Sequence, residues 1–200
     1  MRLWDDKNIG LHRPTIRVTI QCGARITSVL LPLTSVELNR ALTRIGARDN
    51  EYSIMKCQLA LELPLDELVI GCKISVINYL AARLSILPPF QLDKLEAIMQ
   101  SEMRFNTIEQ LIDFTYNTDY FILTPNIHNA EELARYYIYE SGMIEMPDEW
   151  KSGIDLLPFG TNLEKCEKGS YTDKGYLLLS GDPWKPIFEE SGVVPLKFTS

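Results

Sequence analysis

The chain has 200 residues, 20 basic and 27 acidic, with a net charge of −7 and a pI near 4.9. That balance argues against a general nucleic-acid binder and against an anionic membrane as the main partner. No apolar run approaches the ~18 residues that a spanning helix needs, while 46% hydrophobic content suffices for one large core or two to three small ones.

The first 13 residues are polar and irregular, contain no apolar h-region, and are expected to form an arm of a cytoplasmic, non-secreted protein. Ile16, Val18 and Ile20 alternate with Thr15, Arg17, Thr19 and Gln21, the period of a half-buried strand. Cys22 to Arg25 can turn, and Ile26 to Leu31 can return as the second arm of a hairpin. Thr34 and Glu37 have capping-box spacing. Leu38, Ala41, Leu42 and Ile45 then draw a helical stripe that Gly46 stops. Residues 52–61 read as a third strand, giving a ββαβ-like lobe over 14–70.

Pro64 and Gly71 bracket the expected boundary to a mainly helical lobe over 71–124. Ile77, Leu80, Ala81 and Leu84 form one stripe there, closed by Pro88-Pro89; Leu92, Leu95, Ile98 and Met99 form another. Thr107 and Gln110 form a second candidate capping box before Ile108, Leu111, Ile112 and Thr115, and Asp119 to Leu123 reads as a short strand. The last lobe, 125–200, opens on a helix capped by Asn129, with Leu133, Ala134, Tyr137, Ile138 and Ser141 as its stripe and Gly142 as its stop. Short helices near 148–152 and from Asp155 to Glu164 follow, then a hairpin that turns on Asp173-Lys174. The proline-rich tail reads as extended chain. The class is α+β, in two to three small lobes.

Catalytic patterns are absent. There is no GxxxxGK[ST], GxGxxG, GxSxG or HExxH. Cys22, Cys57, Cys72 and Cys166 show no CxxC, which fits reduced thiols of a cytosolic protein, and neither His12 nor His128 has metal-ligand spacing to them. His128 stands beside a helix start, where a surface role accounts for it. Cys166, near Lys165 and Lys168, reads as an ordinary helix cysteine. No cofactor and no enzymatic activity are expected.

Charge is concentrated. Residues 1–50 carry 8 basic and 4 acidic side chains, whereas 101–150 carry 2 basic and 10 acidic. Those ten are Glu102, Glu109, Asp113, Asp119, Glu131, Glu132, Glu140, Glu145, Asp148 and Glu149. Glu109 and Asp113, four apart on one helix, repel by a few tenths of a kcal/mol (about 0.2–0.5), so stability alone would favour a lysine at one of them. A solvated face that aids solubility, with Glu131 and Glu132 complementing a helix dipole, explains the same charges without a partner.

From INYLAARL at Ile77 through TIEQLIDFTYNTDYF, ELARYYIYESG, PDEWKSGIDLLPFG and GSYTDKGYL, ending near Tyr176, the chain resembles the ArdA-type antirestriction proteins of conjugative elements. The order and spacing of these segments carry the resemblance. It implies a curved, elongated, three-lobed α+β protein that dimerises through its C-terminal region. It also implies surface carboxylates that imitate DNA and occupy the DNA-binding groove of a type I restriction-modification enzyme. The ten carboxylates above are the expected mimic residues, with the methyltransferase core as partner and no membrane or direct nucleic-acid contact. The net charge is lower than the family pattern implies. Two alternatives therefore stand beside it: an ArdA-fold interaction module without antirestriction activity, and a nucleic-acid binder using the basic first quarter, with Arg17, Arg25, Arg40, Arg44 and Arg48.

Overall fold

The computed structural model describes residues 15–47, 51–59, 61, 63 and 65–199. The expected arm, His12 and Arg48 lie outside the described residues. Contacts divide the chain into two compact units, residues 1–86 with 193–200, and residues 87–192. Both combine helices with a three-stranded antiparallel sheet, so the protein is α+β.

In the first unit β1 (Ile16–Cys22) lies between β2 (Arg25–Leu31) and β3 (Ser53–Leu59). Val18 stands opposite both Val29 and Cys57, and Ile16 opposite Leu31, so the apolar positions of all three strands share one buried face. Arg17, Ser28, Leu30, Lys56 and Gln58 face the other way and are exposed. Helix α1 (Ser35–Ile45) begins with the expected reciprocal cap: Glu37 N donates to Thr34 Oγ1 at 3.4 Å and Thr34 N donates to Glu37 Oε2 at 2.9 Å. It ends at Gly46, whose φ of 76° suits a residue without a Cβ. A four-residue helix α2 (Leu65–Leu68), too short for a periodic signal, brings Asp66 to accept the Cys57 amide at 2.6 Å. Burial, then the nearby Asp66 charge, pushes the Cys57 thiol up to about 12, which makes it an inert core group.

Helix α3 (Ile74–Leu84) buries Ile77, Leu80, Ala81 and Leu84 as its stripe requires, and packs on β1 and β2. It therefore belongs to the first unit, whereas the sequence placed it in a central lobe. Its buried Asn78 accepts from Leu33 N at 2.7 Å and donates through Nδ2 to Leu33 O at 2.8 Å and Phe198 O at 3.2 Å. Tyr79 packs on Phe198 with ring centroids 5.5 Å apart. Phe198 is thus part of the first unit's packing.

The second unit starts with α4 (Pro89–Gln100), where Pro89 opens the helix at a position that needs no amide donor. Helix α5 (Ile108–Phe114) is capped by Thr107, but Gln110 reaches back to the Asn106 amide, one residue beyond a capping box. β4 (Phe121–Thr124) pairs with β6 (Gly175–Leu179), and β6 with β5 (Ser170–Thr172). The lobe boundary expected after residue 124 falls inside this unit, at one end of a strand that pairs with residues 176–179. Helix α6 (Ala130–Arg135) is capped by Asn129, then widens into a π turn over Tyr136–Glu140, where Ser141 N donates to Tyr136 O at 2.8 Å. Helices α7 (Asp148–Lys151) and α8 (Leu156–Glu167) follow.

The tail is not extended. It forms α9 (Ile187–Ser191) and a 3-10 turn over Leu196–Phe198, each preceded by a proline that fixes the entry. Trp184 joins Phe105, Tyr120 and Phe121 in an aromatic cluster with centroids 5.0–6.2 Å apart.

Under α6 and α8, Tyr137 donates its hydroxyl hydrogen bond to Glu167, while the buried hydroxyls of Tyr171 and Tyr176 lie near Glu164 and Glu167 without a hydrogen bond of good geometry among the described residues. Burial, reinforced by the charges of Glu164 and Glu167, pushes the Tyr171 phenol up to about 12 and raises Tyr137 and Tyr176 as well. Raised phenol values favour the neutral form. Their contribution to stability is therefore complete below the ordinary value of 10 and lost as pH climbs through the raised values, about 12 for Tyr171. A 295 nm titration should show these three phenols ionising only with alkaline unfolding. Three tyrosinates forming near pH 10 in the folded protein would contradict this packing.

Candidate partner-binding surface

Charge follows the two units more sharply than it follows quarters of the chain. Residues 1–86 and 193–200 carry 12 basic and 8 acidic side chains, a net +4; residues 87–192 carry 8 and 19, a net −11. Together they give the −7 of the whole.

Of the ten expected carboxylates, Glu102, Asp119, Glu131, Glu140, Glu145, Asp148 and Glu149 are exposed, and Glu109 and Glu132 are partly so. Asp148 is neutralised by Lys151 at 2.8 Å, which holds its carboxyl below the usual range. Glu132 accepts the His128 amide at 2.7 Å; this bond, more than any charge, lowers its pKa. It is a capping group first, as its first-turn position allows. Glu102, Glu109, Asp119, Glu131, Glu140, Glu145 and Glu149 form no ion pair within 4.0 Å among the described residues.

Asp113 is a correction. Its side chain is 0% exposed, with Oδ1 accepting from Phe188 N at 2.6 Å and Oδ2 from Glu189 N at 3.1 Å. The carboxylate caps the first turn of α9 from another helix and cannot meet a partner. One turn on, Asn117 donates to Lys185 O at 2.9 Å and accepts from Lys185 N at 3.0 Å. The pair straps residues 185–189 to α5.

The acidic surface extends past residue 149. The same unit also exposes Asp155, Asp173, Asp182, Glu189 and Glu190. In sequence they are interspersed with Lys151, Lys165, Lys168, Lys174 and Lys185, so the stretch 151–192 carries only a small acidic excess of its own.

His128 is exposed at the α6 entry, and Cys166 is exposed on α8. Among the described residues no group of three or more His, Cys, Asp or Glu side chains is placed to hold a metal ion, and no helix is long and apolar enough to cross a membrane.

The described residues thus define an α+β protein whose second unit carries a surplus of uncompensated surface carboxylates. The family model described as "Antirestriction protein (ArdA)" matches residues 27–178, most of the chain, and the protein belongs to that family. Membership assigns it to antirestriction and to interaction with restriction-modification enzymes in general. No curated protein matches the chain.

Proposed function

We propose that the second unit acts as a DNA mimic, presenting its unpaired carboxylates to the DNA-binding groove of a type I restriction-modification enzyme. The supporting observation is the set of seven expected carboxylates that are free of ion pairs, within a unit of net −11. B-DNA offers one phosphate per ~1.7 Å of axis, so dense, unneutralised anions are what a cationic groove selects. Competition for that groove requires no covalent step. Dimerisation through the C-terminal region is proposed on exposed Tyr139, Met143, Trp150 and Leu157, which together offer apolar contact area.

A purified type I methyltransferase core, preloaded with fluorescent DNA, tests the reading directly. The wild-type protein is expected to displace the DNA. The triple variant Glu102→Lys, Glu109→Lys and Glu131→Lys should need about 100-fold more protein, at about 1 kcal/mol for each reversed surface charge. Equal displacement by both proteins would refute carboxylate mimicry.

One observation favours a second reading. The three strands of the first unit, 21 residues in all, contain Arg17, Arg25 and Lys56 and no carboxylate. A basic sheet face would bind nucleic acid through phosphates alone, with log affinity falling about 0.9 per contact against log salt. Salt-dependent DNA binding that Arg17→Glu with Lys56→Glu abolishes would favour this reading over the first.

A further inference from the structure

Beyond its dispersed carboxylates, the second unit contains a cavity of about 590 Å³ bordered by the start of α4, by β4 and by the turn between β5 and β6. Part of its wall is apolar: Phe90, Phe121, Ile122 and Leu123 line it, with Phe90 60% and Ile122 43% exposed. β4 is an edge strand, so among the described residues no other strand covers its outer side. Phosphate mimicry requires no such hollow, because a phosphate backbone presents charge and no receptor for a side chain.

The charges around the cavity are unequal in what they leave open. Lys174 is held by Asp93 at 2.9 Å and by Glu96 at 2.7 Å, and those two carboxylates raise its pKa. Lys94 is 8% exposed and donates to Thr118 O at 2.7 Å. Both ammonium groups are therefore already engaged within the fold. Asp119 and Asp173 also line the cavity, are exposed, and form no ion pair within 4.0 Å among the described residues. An entering anion would meet two exposed carboxylates, of which Asp119 feels the charge of the buried Lys94 and Asp173 has no ion pair among the described residues, and an apolar side chain would leave both unpaired. A cation on a long apolar stem satisfies both parts of the lining. A guanidinium fits better than an ammonium, because it is more weakly hydrated, stacks on aromatic faces and bonds carboxylates in two directions.

We propose that this cavity receives an arginine side chain of the partner enzyme, with its stem against Phe90 and Ile122 and its guanidinium at Asp119 and Asp173. The inference rests on the DNA-competing surface proposed above, since a groove that binds phosphates is rich in arginine. It adds a buried anchor to what would otherwise be a rim of separate charges, and such anchors dominate binding energy.

Two measurements on the full chain separate the anchor from the surface reading. In a nitrogen-15 amide titration, the blocked tripeptide Gly-Arg-Gly should give saturable shifts at Phe121, Ile122, Leu123 and Lys174. Gly-Lys-Gly should bind at least threefold more weakly, and Asp119→Asn with Asp173→Asn should weaken the arginine peptide at least fivefold. Absence of saturable shifts, or equal binding of both peptides, overturns the anchor.

In the displacement assay, Phe90→Ser with Ile122→Ser leaves net charge unchanged and is expected to cost about tenfold, with amide spectra confirming the fold. If wild type displaces DNA and this variant does so equally well, the anchor fails while the carboxylate surface stands. If wild type displaces none, the surface reading fails, and the assignment of the arginine to that enzyme fails with it.

Discussion

Gly160→Ala is expected to destabilise the second unit by more than about 3 kcal/mol, lowering its melting temperature by roughly 15 °C. A Cβ built at Gly160 would stand 1.7 Å from Ala130 O and 2.5 Å from Ala130 C, inside the backbone of the first turn of α6. Backbone atoms cannot swing aside as a side-chain tip can, so α6 and α8 would have to separate. That separation would open the cluster of Ile127, Leu133 and Tyr176 beneath them. The helix-propensity gain of alanine over glycine, about 1 kcal/mol, does not offset it. Gly153→Ala is the matched control: its Cβ would lie 3.5 Å from Trp150 O, an ordinary contact. Thermal unfolding of both variants checks the claim, and a Gly160→Ala protein that melts with the wild type would refute the close approach.

Asp113→Ala should cost about 3 kcal/mol, because it removes the acceptor of two amides in the α9 turn, one of them on buried Phe188. Asp113→Asn should cost less, since the amide oxygen can still accept one of the two while its NH2 faces the other donor. Amide hydrogen exchange at Phe188 and Glu189 should accelerate in both variants. This pattern separates a structural carboxylate from a phosphate mimic. A mimic variant would weaken displacement of DNA with unchanged stability; Asp113 variants should lose stability, with displacement falling only as folded protein is lost.

The features legible in the sequence were local ones. The hairpin at Cys22 to Arg25, the Thr34–Glu37 cap and the Asn129 cap each depend on residues within a few positions, and each formed as expected. The exposure expected of Asp113 follows from an amphipathic α5 with Ile108, Leu111 and Ile112 inside. In fact Leu111 through Thr115 are all buried, since the tail, some 75 positions away, covers the other side. No periodicity within α5 encodes that contact. The prolines of the tail misled for a related reason: Pro186 and Pro195 begin helical turns as readily as they keep a chain extended. The acidic surface was visible as composition. Its extension past residue 149 rests on the exposure of Asp155, Asp173, Asp182, Glu189 and Glu190 within one folded unit, which composition does not encode.

The return of residues 193–199 to the first unit delays completion of that unit during synthesis. Asn78 leaves the ribosome 120 residues before the Phe198 carbonyl that it bonds, and Tyr79 packs on the ring of the same late residue. Residues 87–192 emerge complete in the interval. The unit translated first is therefore the one finished second, and a premature stop after Gly192 would leave it without its final wedge while sparing every residue of the acidic unit.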